Sequence, residues 1–256
     1  MAPSRTVEDY LKGLSLAATA TPGPGPRFVP MGQLAAAVGV TPGTTTTMVK
    51  ALARSGLVRY EPYSGVLLTR EGAKLAARVL RRHRLVELFL VQVMGFRWDE
   101  VHDEAEILEH AVSDRLAERI DDMLGRPKSD PHGDPIPNAD GIIRRQDTQT
   151  LLTCPLHVPV TIARVMDQDA AFLRFAAHNG LKPGDVIKVE QRDEDADSVR
   201  VRGRDDRHIT LGTRAASKLQ VHPVPGAQSI GRTTSTEGRA RRRDPGAARA
   251  RSVHQR

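Results

Sequence analysis

The hydrophobic period changes once along this 256-residue chain. From about residue 5 to Gly125, apolar side chains recur every three or four positions, the spacing that gives a helix one buried face. Beyond residue 149 they alternate in short runs, "HVPVTIARV", "DVIKVEQ", "SVRVRG" and "HITLG", each closed by Gly or Asp, as half-buried strands do. The change predicts a mainly α N-terminal two thirds followed by a small β-barrel.

Within the helical part the breakers mark the elements. Val7, Tyr10, Leu11 and Leu14 share one face of a helix over 5–18, which the run "TPGPGP" (21–26) ends. "MGQLAAAVGV" reads as a short helix, and a second follows over about 42–55, with Thr41 as N-cap and Gly56 closing it. "LVRYEPYSGVLLT" alternates through a turn at "PYSG", a two-stranded wing. A long helix over about 70–94 comes next, then one that begins near Val101, then one over 113–125. "GRPKSDPHGDPIPNADG" has no period and reads as a linker. A helical stretch at 169–179 interrupts the barrel.

Charge is distributed unevenly. The net is +4 over 1–75, −5 over 76–140, +2 over 141–222 and +6 over 223–256, adding to the chain's +7. A basic module ahead of an acidic middle points to a polyanion at one end and cations in the centre. The tail from Pro223 is Arg-, Gly- and Ala-rich with almost no bulky apolar residues, and is expected to be disordered. Cys154 is the single cysteine, which rules out an internal disulfide framework and fits a reducing compartment. A small buried residue is its expected role. With no signal peptide and no apolar run of about 20 residues, a cytoplasmic protein without membrane contact is expected.

Helix, turn, helix and wing inside a basic segment form a winged helix-turn-helix, with 42–55 as the reading helix. Its candidate contacts to double-stranded DNA are Thr44, Thr45, Thr46 and Thr47, whose hydroxyls and methyls suit phosphates and base edges. Lys50, Arg54 and Arg59, with Tyr63 and Ser64 of the wing, are candidate backbone contacts.

The stretch "HDEAEILEH" (102–110) poses a sharper question. On a continuous helix His102, Glu106, Glu109 and His110 fall within one stripe about 100° wide. Such a stripe is either a solvated acidic face or one wall of a divalent-cation site. "RRHRLVELF" adds His83 and Glu87 at i and i+4 on the preceding helix, and Asp9 on the first helix is a third contributor.

"VEDYL", "RRHRLVELFL", "WDEVHDEAEILEHAVSD" and "DPHGDPIP" resemble the diphtheria toxin repressor family of iron- and manganese-dependent transcriptional regulators, over about residues 5–222. The resemblance implies a winged-helix DNA-binding domain (1–75), a helical dimerisation and metal-binding domain (76–140), a linker (141–148), an SH3-like domain of the FeoA type (149–222) and the basic tail (223–256). It implies a homodimer, one or two per operator, that represses metal-homeostasis genes when loaded with Mn²⁺ or Fe²⁺ at two sites per subunit. Carried over residue by residue, the effector site is Asp9, Glu106, Glu109 and His110. The ancillary site is His83, Glu87 and His102, with Asp167 or Gln168 from the barrel. Iron-type members carry a thioether and a thiol where this chain has Asp9 and Glu106; manganese-type members carry carboxylates at both. Two carboxylates favour the harder Mn²⁺, with an iron-responsive regulator as the alternative. Lys12 departs from the pattern, since manganese-type members often place a second carboxylate there. That puts a closely spaced pair of ions in doubt and leaves Lys12 to offset excess carboxylate charge.

Two other classes compete. A metallohydrolase would need an open metal position and a poised base, but "HExxH", a Ser-His-Asp set and a phosphate-binding Gly loop are all missing. A metal-storage protein would have no use for a wing. No enzymatic activity and no small-molecule substrate are expected.

Overall fold

The structure, a computed structural model, describes residues 3–20, 27–144 and 146–224. The breaker run 21–26 and the tail beyond residue 224 lie outside the described residues.

Three helices and a hairpin make the first unit. α1 (Arg5–Ala20), α2 (Met31–Ala37) and α3 (Pro42–Arg54) precede β1 (Val58–Glu61) and β2 (Gly65–Leu68), an antiparallel pair that sets Tyr60 opposite Val66. Thr41 caps α3 by accepting from the Thr44 N–H at 3.3 Å. Gly56, at φ 73°, lies just past the Ser55 C-cap, the left-handed position that glycine fills most cheaply. Tyr10, Leu11 and Leu14 of α1 bury against Leu34, Val49, Leu52, Val58 and Val66.

α4 (Arg70–Gln92) joins this unit to the next. Its Ala76 completes the first core, while Leu85, Val86, Leu88 and Leu90 pack with Val101 and Ala105 of α5 (Val101–Leu108) and Ala117 and Ile120 of α6 (Asp114–Met123). The one long helix therefore carries both cores. α5 is shorter than the period predicts. It closes at Leu108 because Ser113 caps α6, accepting from the Leu116 N–H at 3.2 Å, and the chain must turn between them.

The last unit is a six-stranded antiparallel sheet in the order β3-β8-β4-β5-β6-β7. Its strands are β3 (Gln149–Thr150), β4 (Pro159–Val165), β5 (Val186–Asp193), β6 (Ser198–Arg202), β7 (His208–Gly212) and β8 (Leu219–Pro223). α7 (Ala170–His178) follows β4, and α8 (Thr213–Ala216) follows β7. Ile162, Ile187, Val189, Val201, Leu211 and Val221 fill the interior with Cys154, whose thiol pKa burial pushes up despite Arg192 beside it. Cys154 is thus a packing residue. The alternating pattern was a sound guide here because one face of each strand is buried and the other is not.

The stretch read as a linker is the chief correction. Residues 128–138 form a strap that is buried or half-buried from 129 to 137, because α4 supplies donors its backbone needs. Arg81 donates to the Pro137 carbonyl at 2.9 Å and Arg84 to that of Pro135 at 2.5 Å. His132, buried and stacked on Trp98, has Nε2 2.7 Å from the Trp98 carbonyl, so that nitrogen carries the proton. Val165 of β4 in turn donates to the His132 carbonyl at 2.9 Å, which fastens the barrel to the helices.

The strap meets the barrel closely at Gly133, with φ 88°, where a Cβ would lie 2.0 Å from the Ala163 carbonyl oxygen. Gly133→Ala should lower stability by about 2–4 kcal/mol, read from the urea midpoint. Gly125→Ala, also at positive φ but facing open space, should cost only about 1 kcal/mol. Equal losses in the two variants would show that the strap is loosely held.

Candidate metal centre and nucleic-acid interface

Three elements supply the ligand atoms. α1 presents Asp9 and Lys12, α4 presents His83 and Glu87, and α5 with its C-terminal turn presents His102, Glu106, Glu109 and His110. Because α5 stops at Leu108, the predicted stripe is broken, and His110 swings off it toward α1.

Asp9, Glu109 and His110 come together. His110 Nε2 lies 2.9 Å from Asp9 Oδ1 and 3.3 Å from Glu109 Oε1. Its other nitrogen, Nδ1, is 2.6 Å from Glu8 Oε2, and Arg82 holds the second Glu8 oxygen at 2.6 Å. Glu8 fixes the proton on Nδ1, so Nε2 turns a lone pair toward two carboxylate oxygens. Glu109 Oε1 and His110 Nε2 are both buried without a hydrogen-bond partner. Buried acceptors facing one another repel unless a cation or a proton lies among them. Donor separations near 3 Å also match adjacent ligands about 2.1–2.2 Å from a divalent ion. The residues present fit a metal.

Glu106, expected in the same set, turns the other way. Its Oε1 is 2.5 Å from Lys12 Nζ, 3.6 Å from His102 Nε2 and 3.9 Å from His83 Nδ1. The predicted ancillary residues do converge: Glu87 Oε1 lies 3.1 Å from His83 Nε2 and 3.2 Å from His102 Nδ1. Burial opposes charge on His83, but hydrogen bonds to Glu109 and Glu87 outweigh it and lift its pKa to about 9. Burial likewise works against ionised Glu87, yet His102 and His83 bound to it, with His132 close by, hold it well below the usual carboxylate range. Glu87, Glu106 and Glu109 each have a cationic neighbour in this network, whereas Asp9 faces the His110 lone pair.

A cleft of about 820 Å³ opens beside this network, bordered by Asp9, Lys12, His83, His102 and Glu106 on one side and by Met166, Asp167 and Gln168 on the other. Asp167 is paired there with Lys218, and Gln168 donates to Asp134 at 3.4 Å. Both face the cleft, and neither is joined to the histidines. Sequence reasoning missed Glu8, Arg82 and the buried pair Asp130 and His132. Glu8 carries a signal, an acid beside the proposed ligand Asp9. His132 reads as part of a loop until its burial is seen. Asp130, His132 and Glu87 also bring ligand atoms together, but Asp130 Oδ1 accepts from two backbone N–H groups and Arg84 stands 3.7 Å from Oδ2, so the strap's own polar groups hold it.

On α3, Thr44, Thr46, Thr47, Lys50 and Arg54 lie on the outward side. Thr45 does not. It is fully buried and its hydroxyl donates to the Thr41 carbonyl at 3.0 Å, so the expectation that it reads DNA is corrected: it holds the helix. Tyr63 and Ser64 form the exposed wing tip, with Tyr63 at φ 66°. Arg59 pairs with Glu61 and lies 5.5 Å over the Phe28 ring.

Comparison with known proteins agrees with this architecture. Residues 4–66 match the family model described as "Iron dependent repressor, N-terminal DNA binding domain", 69–138 that described as "Iron dependent repressor, metal binding and dimerisation domain", and 149–223 the "FeoA domain". An uncharacterized HTH-type transcriptional regulator of Methanocaldococcus jannaschii is 36% identical over 117 residues, 46% of this chain and 90% of that protein. The iron-dependent repressor IdeR of Mycobacterium tuberculosis is 40% identical over 94 residues, 37% of this chain and 41% of its own. A solved manganese-dependent transcriptional repressor in complex with manganese is 41% identical, with TM-score 0.76, covering 85% of this chain and all of that one. Matched in order from the DNA-binding module through the metal-binding helices to the FeoA domain, the chain belongs to the iron-dependent repressor family, that of the diphtheria toxin repressor.

Proposed function

We propose that this protein is a metal-dependent transcriptional repressor, active as a homodimer on double-stranded operator DNA, with Mn²⁺ as its preferred effector over Fe²⁺. The family consists of transcriptional repressors, not enzymes. The observation that carries the reading is the pair of buried, unpartnered acceptors, Glu109 Oε1 and His110 Nε2, aimed at Asp9 of the reading module's first helix. Two hard carboxylates and one imidazole, with no thiol or thioether among them, suit Mn²⁺ better than a thiophilic ion. The five residue blocks expected above are part of this reading, with 128–138 counted as a structural strap.

Asp9, Glu109 and His110 would hold the effector ion, with Glu106 at the margin. His83, Glu87 and His102 would hold a second, beside Asp167 and Gln168 across the cleft. The bound ion supplies positive charge where carboxylates crowd. Asp9 then draws α1 onto α5, and Glu8 keeps His110 in the correct tautomer while Arg82 anchors Glu8 to α4. Fixing α1 fixes α3, and two α3 helices in a dimer must match half-sites about one DNA turn apart, or a multiple. Thr44, Thr46, Thr47, Lys50 and Arg54 would face the groove, with Tyr63 and Ser64 on the flanking phosphates. Ile107, Leu116 and Met123 are exposed apolar side chains on α5 and α6, and are assigned to the dimer contact. Among the described residues no helix is long and apolar enough to cross a membrane.

His110→Ala should abolish Mn²⁺-stimulated operator binding while leaving the circular dichroism of the folded chain unchanged, and His83→Ala should weaken the response less. Wild-type metal dependence in His110→Ala, read by fluorescence anisotropy of labelled operator, would refute the assignment. Glu8→Gln should lower Mn²⁺ affinity by about 10–100-fold in calorimetry without removing a ligand, as expected for loss of a carboxylate that orients a histidine. An affinity within twofold of wild type would leave Glu8 as an ordinary ion-pair partner.

Metal preference is tested by replacing Asp9 with Met and Glu106 with Cys together. The softer donors should raise the Mn²⁺ midpoint for DNA binding and lower that for Fe²⁺ under anaerobic conditions. Midpoints that do not move would remove the hard-ligand argument.

A further inference from the structure

Lys12 is buried in the middle of the proposed effector cluster. Its Nζ lies 2.5 Å from Glu106 Oε1, 2.7 Å from Glu109 Oε2 and 3.4 Å from His83 Nδ1. Two carboxylate oxygens around a compact positive charge are what a bound cation would gather, and here the cation is covalently part of α1, with His83 beside it on the same Glu109 oxygen. Lys12 stands three residues after Asp9, so both project from the same face of that helix.

Glu109 divides its oxygens between two surroundings. Oε2 faces Lys12 and lies 2.6 Å from His83 Nδ1, whereas Oε1 has no hydrogen-bond partner and lies 3.3 Å from His110 Nε2. A carboxylate so placed can bridge two cations, and one of those positions is held by the ammonium. The charges close on this arrangement. Asp9, Glu106 and Glu109 bring three negative charges, Lys12 returns one, and a single divalent ion balances the remainder. A second divalent ion would have to displace or confront a buried ammonium.

We propose that Lys12 is a tethered surrogate for a second metal ion, restricting the effector cluster to one divalent ion and raising the free-metal concentration at which that ion binds. This rests on the effector-site reading above. The ammonium also ties α1 to α5 without any metal, so it serves part of the bridging role that a second ion would otherwise serve. Lys12 is a positioning and selectivity residue, not a ligand.

The test is metal stoichiometry and magnetic coupling in the full chain. Wild-type protein saturated with Mn²⁺ should give the electron paramagnetic resonance of uncoupled ions, because no carboxylate bridges two of them. Lys12→Gln and Lys12→Met should each take up about one further Mn²⁺ per subunit in equilibrium dialysis, show an exchange-coupled pair, and bind their first ion about tenfold or more tightly. Lys12→Arg, which keeps the charge, should retain the wild-type stoichiometry. An exchange-coupled pair in the wild-type protein would overturn the proposal even if no variant folds. So would wild-type stoichiometry in a Lys12→Gln protein whose thermal unfolding is cooperative. His110→Ala separates the two levels: if it leaves Mn²⁺ uptake at the wild-type value, the effector reading itself is wrong, whereas its loss of an ion with no gain in Lys12→Gln sinks only the role of Lys12.

Discussion

Glu109 has no exposed surface, and the arrangement of three helices follows from the need to compensate it. A carboxylate at such a position is costly unless cationic or hydrogen-bonding groups compensate it. One oxygen is provided for by His83 from α4 and Lys12 from α1. Burial alone would raise the Glu109 pKa, yet these two neighbours hold it below its ordinary value, so the group is a fixed negative charge. The other oxygen draws on α1 again, through the cluster it forms with Asp9 and His110. A single buried carboxylate thus makes the position of the DNA-reading module's first helix an electrostatic matter.

That constraint gives a physical route from metal to DNA. Asp9 belongs to α1, α1 packs into the same core as α3, and α3 carries the outward Lys50 and Arg54. Any ligand that stabilises α1 against α5 must also stabilise one placement of α3. In the proposed mechanism, operator binding would by reciprocity tighten the hold on metal by the same factor. Glu8, Arg82 and Lys12 provide a metal-independent part of this link, so the two states differ by less than the sum of the contacts at the interface.

Much of the architecture was legible in the sequence because helix and strand periods differ and breakers separate them. α1, α3, the wing and α4 lie close to where their apolar spacing places them. The end of α5 was not read from the sequence, because the apolar pattern continues through Val112 and masks the local signal of the Ser113 cap that starts α6. The same cause separated Glu106 from His110, which a continuous helix would have kept in one set. The strap was hidden for another reason. Arg81 and Arg84 look like surface residues in the sequence, yet they point inward to satisfy carbonyls of a Pro- and Asp-rich segment that otherwise resembles a solvated loop. Thr45 looked like its three neighbours, and only the buried side of α3 sets it apart.

The continuity of α4 has a consequence for how such chains can diverge. Ala76 contributes to the core of the first unit, and His83 and Glu87 face the proposed metal cluster from the same uninterrupted helix. Inserting one residue between Ala76 and His83 would rotate the later side chains by about 100° and advance them by about 1.5 Å relative to the earlier ones. The apolar core could repack around such a slip, but the imidazole would leave Glu109. Drift in sequence is therefore tolerable along this helix where drift in length is not, and the spacing from Ala76 to Glu87 should behave as a fixed ruler among functional descendants.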